Sequence, residues 1–290
     1  WNRQRGSESN IKIMILTLIA TLTLGQTYGA PEPLCRLSES FINESSGLAA
    51  SPTRPGVYYT HNDSGDKPRF FQFDEKGTFL QTITLIDADA LDWEDMAAAK
   101  VDDFSFLYFA DIGDNLESRK NVTIYKLQEP GTVDVENGAK QIYRRYELAY
   151  PDGPHNAEAF MVTPGKGDFW IVTKTDKGPS GVYWCAEPTT QLKPSKLRKR
   201  GAIKLGEEGQ FANLVTGGDI SPDGKHLVIR TYQAAYEFDL KGDWWKQSPR
   251  KIATAVERQG EAICYSASGD ALITSSEGTP CPISRIALSR

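Results

Sequence analysis

A short hairpin recurs five times along the 290 residues, and this repetition constrains the fold more than any other feature of the chain. Each copy opens on a small or acidic residue, continues as an apolar run, turns tightly and returns as a second run ending on polar side chains. The first copy runs from Ser46-Gly-Leu-Ala-Ala-Ser to Val57-Tyr-Tyr-Thr-His-Asn-Asp63, and the second from Glu94-Asp-Met-Ala-Ala-Ala to Phe106-Leu-Tyr-Phe-Ala-Asp111. The third pairs Glu158-Ala-Phe-Met-Val-Thr with Phe169-Trp-Ile-Val-Thr-Lys174. The fourth pairs Thr216-Gly-Gly-Asp-Ile-Ser with His226-Leu-Val-Ile-Arg230, and the fifth Glu261-Ala-Ile-Cys-Tyr-Ser with Ala271-Leu-Ile-Thr-Ser-Ser-Glu277. The starts lie 48, 64, 58 and 45 residues apart, which leaves room for two more strands per unit. Helical periodicity is nearly absent, so the chain reads as all-β. Four-stranded units repeated radially make a β-propeller, which hides most sheet edges. Five blades are expected, with six as the alternative.

The ends of the chain follow from closing this ring. The fifth unit stops one strand short, and residues 34–41 are placed to supply its outer strand. That sets Cys35 beside the strand of Cys281, and a Cys35–Cys281 disulfide is expected to staple the ring, with Cys264–Cys281 as the competing pair. Residues 1–30 read as an export signal, with Arg3, Arg5 and Lys12 before an apolar run and Tyr28-Gly-Ala30 as the cleavage site. Residues 31–290 then form one propeller domain, secreted or periplasmic, with no membrane span in the mature chain.

In a propeller the first strand of each blade lines the central channel, so equivalent starts form a ring. Aligning the copies puts Ser46, Glu94, Glu158, Thr216 and Glu261 in that ring. Three converging carboxylates raise one another's pKa and call for a neutralising partner. With no basic residue in the same column, the expected partner is a hard cation. Ca²⁺ suits a flexible cage of six to eight oxygens; the alternative is a hydrated channel with protonated acids. The ends of the second strands emerge on the same face. There Lys174, Arg230, Glu277, Asp114 and Asn115 are candidates to bind a small anionic ligand, and Asp63 and Asp111 are candidates to activate water. For Asp63 and for Asp111 to Asn115 an ordinary turn is the competing reading.

The order Ser, Glu, Glu, Thr, Glu at successive inner starts resembles the calcium-activated nucleotidases (apyrases). The resemblance implies a five-bladed propeller with one axial Ca²⁺ held by Ser46, Glu94, Glu158 and Glu261, with Thr216 standing where the family has serine. A second resemblance, to uncharacterised exported bacterial propellers, lies in Asn62-Asp-Ser-Gly65, Asp92-Trp-Glu-Asp95, Asp111-Ile-Gly-Asp-Asn115 and Arg230-Thr-Tyr232. Ser221-Pro-Asp-Gly-Lys225 also resembles a TolB-type repeat turn. This second resemblance implies fold and export and says little about activity.

Other chemistries find little support. The formal charge of -5 argues against nucleic acid as a partner, because phosphate contacts need clustered cations. The three histidines, His61, His155 and His226, are too scattered for a zinc site. The chain contains no G-x-S-x-G elbow, Walker A loop or H-E-x-x-H pair. Trp93 is expected to pack between blades, and the basic run at 193–200 to lie on an outer edge. Two functions remain: a Ca²⁺-dependent phosphoester or phosphoanhydride hydrolase, or a non-catalytic propeller that binds a ligand or protein with a structural metal. Either is expected to act as a monomer.

Overall fold

The computed structural model describes residues 27–131, 139–176, 178–206 and 213–289. Most of the expected export signal therefore lies outside the described residues. The described chain forms five antiparallel blades, with one short 3₁₀ turn at Trp244–Lys246. Blade 1 runs outward from Ser45–Ala50 through Val57–Asn62 and Arg69–Asp74 to Phe79–Leu85. Blade 2 comprises Trp93–Val101, Phe104–Asp111, Val122–Gln128 and Arg144–Ala149. Blade 3 comprises Ala157–Val162, Phe169–Thr173, Ser180–Cys185 and Arg198–Ile203, and blade 4 Val215–Ile220, His226–Thr231, Ala234–Asp239 and Arg250–Ala253. Short parallel strands, Ala139–Gln141 and Ser195–Lys196, add a fifth edge to blades 1 and 2. The basic run at 193–200 therefore falls on outer edges, where lysine and arginine discourage further strand pairing.

Blade 5 closes the ring. Its strands Gly260–Tyr265, Ala271–Ser276 and Cys281–Ser289 are completed by Thr27–Leu37 from the other end of the chain. The pairing runs through the expected cleavage point, and the Tyr28 hydroxyl donates to Glu237 of blade 4 at 2.5 Å. The expected Cys35–Cys281 bridge is not formed: all four cysteines are free thiols. Leu37 pairs with Cys281 and Cys35 with Ile283. The two strands are neighbours as expected, but the two thiols are not opposite each other. The Cys281 thiol instead donates to the Ser276 carbonyl at 3.4 Å.

Local chemistry explains the hairpins. The Asp102-Asp103 turn joins paired Val101 and Phe104, and Asp102 takes φ 52°, the left-handed conformation that two-residue hairpins demand and aspartate tolerates. In Pro222-Asp-Gly, Gly224 takes φ 68° for the same reason.

Five apolar clusters fill the five gaps between blades, so the core is a closed ring of sheet-on-sheet contacts rather than one central mass. Trp93 is buried between blades 1 and 2, stacked on Phe109 at 4.9 Å and donating Nε1–H to the Asp89 carbonyl. The inner strands contribute small residues to these gaps, Ala49, Ala97, Ala159 and Ala262 among them, and a Cβ on Gly217 would come within 2.9 Å of the Glu261 carbonyl.

Candidate functional site at the channel mouth

Every inner strand carries a register break near its start. The breaks fall between Ser45 and Gly47, Trp93 and Asp95, Ala157 and Ala159, Val215 and Gly217, and Gly260 and Ala262. The residues left over are Ser46, Glu94, Glu158, Thr216 and Glu261, the whole column expected from the repeat. A bulge re-aims the extra side chain out of the alternating pattern, and here the device recurs in all five blades. All five residues are buried.

Their chemistry is not uniform. The Ser46 hydroxyl donates to the Glu94 carbonyl at 2.7 Å and the Thr216 hydroxyl to the Gly260 carbonyl at 3.1 Å, so each ties its bulge to the next blade. Glu158 is neutralised from within the protein: the Lys174 ammonium donates to its two carboxylate oxygens at 2.6 and 2.5 Å. The same ammonium donates to the Tyr232 hydroxyl at 2.9 Å. Burial alone would lower the Lys174 pKa, but Glu158 and Tyr232 outweigh it and hold the ammonium above its usual range. Lys174 comes from the end of the second strand, outside the column, yet it reaches into the ring. The column itself holds no basic residue, as expected, but a cation from outside it already pairs with one of its acids.

The other carboxyls are strained electrostatically. Burial, then Glu158, Asp63 and Asp92, push the Glu94 carboxyl well above its usual range. Burial also raises Glu261, against the pull of Lys174 and Arg230. At the rim, burial and the neighbouring Glu261, Asp63 and Glu44 push Glu277 up to about 7, and its carboxylate accepts the Gln259 amide at 2.8 Å.

Several expected site residues are structural. Arg230 is fully buried, donating to the Ala262 and Ser275 carbonyls at 2.7 and 3.0 Å and pairing with Glu257, so no anionic ligand reaches it. Asp111 is 1 % exposed, accepts the Leu91 and Asp92 amides and pairs with Arg119 at 2.7 Å. Asp114 accepts the Ser118 and Arg119 amides, the turn role that competed with a binding role. Asn115 bonds Asn156 at 3.1 Å beside an open hollow that Lys174 and Asp176 also border. Of the two proposed bases, Asp63 is the less saturated among the described residues, its carboxylate accepting the Ser64 amide at 2.5 Å.

The repeat pattern did not single out Asp92, Asp95, Asp219 or Arg119. Asp63, Asp92 and Glu94 each place a carboxylate oxygen within 4.8 Å of the others. Asp95, fully buried one residue on, accepts backbone amides of Met96, Phe160 and Gly218 at 2.8, 2.9 and 3.1 Å and so joins blades 2, 3 and 4. Asp219 accepts the Ile220 and Tyr265 amides and joins blade 4 to blade 5. The Asp92-Trp-Glu-Asp95 string was visible and the repeat singled out Glu94, but nothing in the sequence separated Asp92 from Asp95 by role.

No protein-family profile and no curated protein sequence matches the chain. Among solved structures it is similar to that titled "Crystal structure of RRP9 WD40 repeats", at 9% identity and TM-score 0.48, covering 91% of this chain and 100% of that one. It is similar also to "Structure of U3-55K", at 8% identity and TM-score 0.46, covering 89% and 98%. A third, "Crystal structure of Nidogen/Laminin Complex", has 14% identity and TM-score 0.47, covering 81% and 73%. The chain is a five-bladed β-propeller on its own strand topology. Among the described residues no helix is long and apolar enough to cross a membrane.

Proposed function

We propose that this chain is a cation-dependent binding propeller, taking a hard divalent ion, Ca²⁺, at the acidic mouth of its channel and an anionic ligand or acidic protein segment through that ion. One observation carries this reading: Glu94, Glu158 and Glu261 sit at symmetry-equivalent bulges with Asp63 and Glu277 close by, and Lys174 neutralises only part of that charge. Carboxylate oxygens in excess of local cations are the donor set Ca²⁺ prefers. The resemblance to calcium-activated nucleotidases points the same way, and export through the leader at 1–30 belongs to this reading.

Binding is favoured over turnover because Asp111, Arg230 and Lys174, three of the groups a phosphohydrolase would need free, are committed within the protein. Hydrolysis of a phosphoester or phosphoanhydride is the second reading, and what favours it is the less saturated Asp63 beside the proposed ion. Calorimetric titration of the metal-stripped protein with Ca²⁺, with melting curves in parallel, tests the proposal. One equivalent of heat-releasing or heat-absorbing binding and a rise in Tm are expected. No binding at millimolar Ca²⁺ and an unchanged Tm overturn it. A panel of phosphorylated compounds with Ca²⁺ present separates the two readings by product release.

A further inference from the structure

We propose that the cation sits off the propeller axis, where blade 1 meets blade 2, held by Asp63, Asp92 and Glu94 rather than by the five-residue ring. This rests on the cation-dependent reading above and changes its ligands.

The geometry comes first. The three carboxylates arrive from separate places: Asp63 from the end of the second strand of blade 1, Asp92 from the connection into blade 2, and Glu94 from the bulge. Their oxygens nevertheless lie within 4.8 Å of one another. Three carboxylates offer up to six oxygens, the lower end of what Ca²⁺ requires, with backbone and water able to complete the shell.

A second observation is independent of that clustering. Glu94 is 5 % exposed, and its carboxylate accepts no hydrogen bond among the described residues, while its oxygen is aimed at Asp63 and Asp92. Buried carboxylates are ordinarily paired or hydrogen-bonded, since an unpartnered one is costly. The ring itself offers its ligands less freely. Glu158 holds Lys174, and the Ser46 and Thr216 hydroxyls, which donate to backbone carbonyls, have only neutral lone pairs to give. The Arg119 guanidinium acts on Asp92 electrostatically, while its bonds go to Asp111 and the Gly113 carbonyl, both at 2.7 Å.

The backbone also makes room here. A Cβ on Gly113 would collide with the carboxylate oxygens of Asp92 and Glu94, so only glycine lets the chain pass behind the two acids. The Gly113 amide donates to the Asp92 carbonyl at 3.2 Å, which fixes the stretch that carries Asp92.

Calorimetric titration with Ca²⁺ of wild type, Asp92→Asn, Asp63→Asn and Glu261→Gln distinguishes this site from the ring. Asp92 and Asp63 belong only to the off-axis set, and Glu261 only to the ring. The off-axis site predicts that Asp92→Asn and Asp63→Asn each weaken Ca²⁺ affinity at least tenfold while Glu261→Gln changes it less than threefold. The reverse pattern, or equal losses in all three, overturns the off-axis site and leaves the cation-dependent reading standing. No Ca²⁺ binding by wild type overturns both. Circular dichroism and melting curves accompany each variant. If Asp92→Asn fails to fold, the partly exposed Asp63→Asn decides against Glu261→Gln.

Discussion

Glu94 and Asp95 are consecutive acids on one inner strand, both buried and both pushed well above the usual carboxylate range by that burial, yet their hydrogen-bond partners differ. Asp95 points where three backbone amides of three blades converge, and every donor there is met. Glu94, displaced by the bulge, faces Asp63 and Asp92 and accepts no hydrogen bond among the described residues. Burial alone therefore does not say whether a carboxylate is scaffold or site; the donors around it do. The inner strands of a propeller expose unpaired amides to the axis, and a short side chain on the regular side of the bulge can collect them. A longer side chain on the bulge itself is carried up toward the mouth. One register break thus sorts neighbouring acids into a structural cross-link and an available ligand.

The largest expected effect breaks the cross-link. Asp95→Ala leaves three buried amides unmatched, each costing about 1–3 kcal/mol, so a loss of about 5 kcal/mol is expected. That corresponds to a fall in Tm of about 10–20 °C. Glu94→Ala should cost far less in metal-free protein, because it removes a group that repels its neighbours. Thermal melts of the pair in EDTA check this, and the comparison fails if the two variants lose equal stability.

Next in size is Arg230→Met. The guanidinium bonds two carbonyls of blade 5 and pairs with Glu257, which is itself nearly buried. Breaking one partner of such a pair costs about 3–5 kcal/mol, since the other charge stays buried alone. The expected readout is a lower urea midpoint, with Ca²⁺ affinity unchanged in the variant that remains folded. A ligand-binding defect without a stability loss would instead return Arg230 to the binding role the sequence suggested.

Much of the architecture was legible because the repeat is written in the residues that the fold constrains most. A polar residue at the bulge, small residues along the inner strand and an apolar second strand recur from blade to blade. The ring members were legible for the same reason. Their partners were not. Lys174 lies 16 residues beyond Glu158, and only the blade's curvature shows that its ammonium reaches the ring. Asp63 and Asp111 end equivalent strands and look alike in sequence. They differ because the loop after Asp111 returns Arg119 to it and the loop after Asp63 returns nothing comparable. The disulfide failed on register, since Cys281 faces Leu37 and Cys35 faces Ile283, an offset that no periodicity announces.

The smallest effect concerns pH and compares the two ends of the channel. Asp219 lies toward the far end, bordering a cavity shared with Pro52, Pro164 and Pro222. Burial raises its carboxyl to about 7, against the pull of the Ile220 and Tyr265 amides that it accepts. Unfolded, the group titrates near 3.9. Between about pH 4 and 7 the folded state therefore binds the proton that the unfolded state has released, and stability falls as pH rises through that window. Above about 7 both states are ionised and this contribution is flat. Metal-free protein should accordingly melt higher at pH 5 than at pH 8, and Asp219→Asn should remove part of that slope. Glu277 adds a slope of the same sign from the mouth, since its carboxyl is also raised to about 7. The two ends separate when Ca²⁺ is added. A cation among the mouth carboxylates favours their ionised forms and flattens their share, while the Asp219 share persists because it is too far down the channel to be neutralised. A profile that is flat from pH 5 to 8 in EDTA, or one that Ca²⁺ flattens completely, would show that the acids at the two ends of the channel do not differ in the way their hydrogen bonds imply.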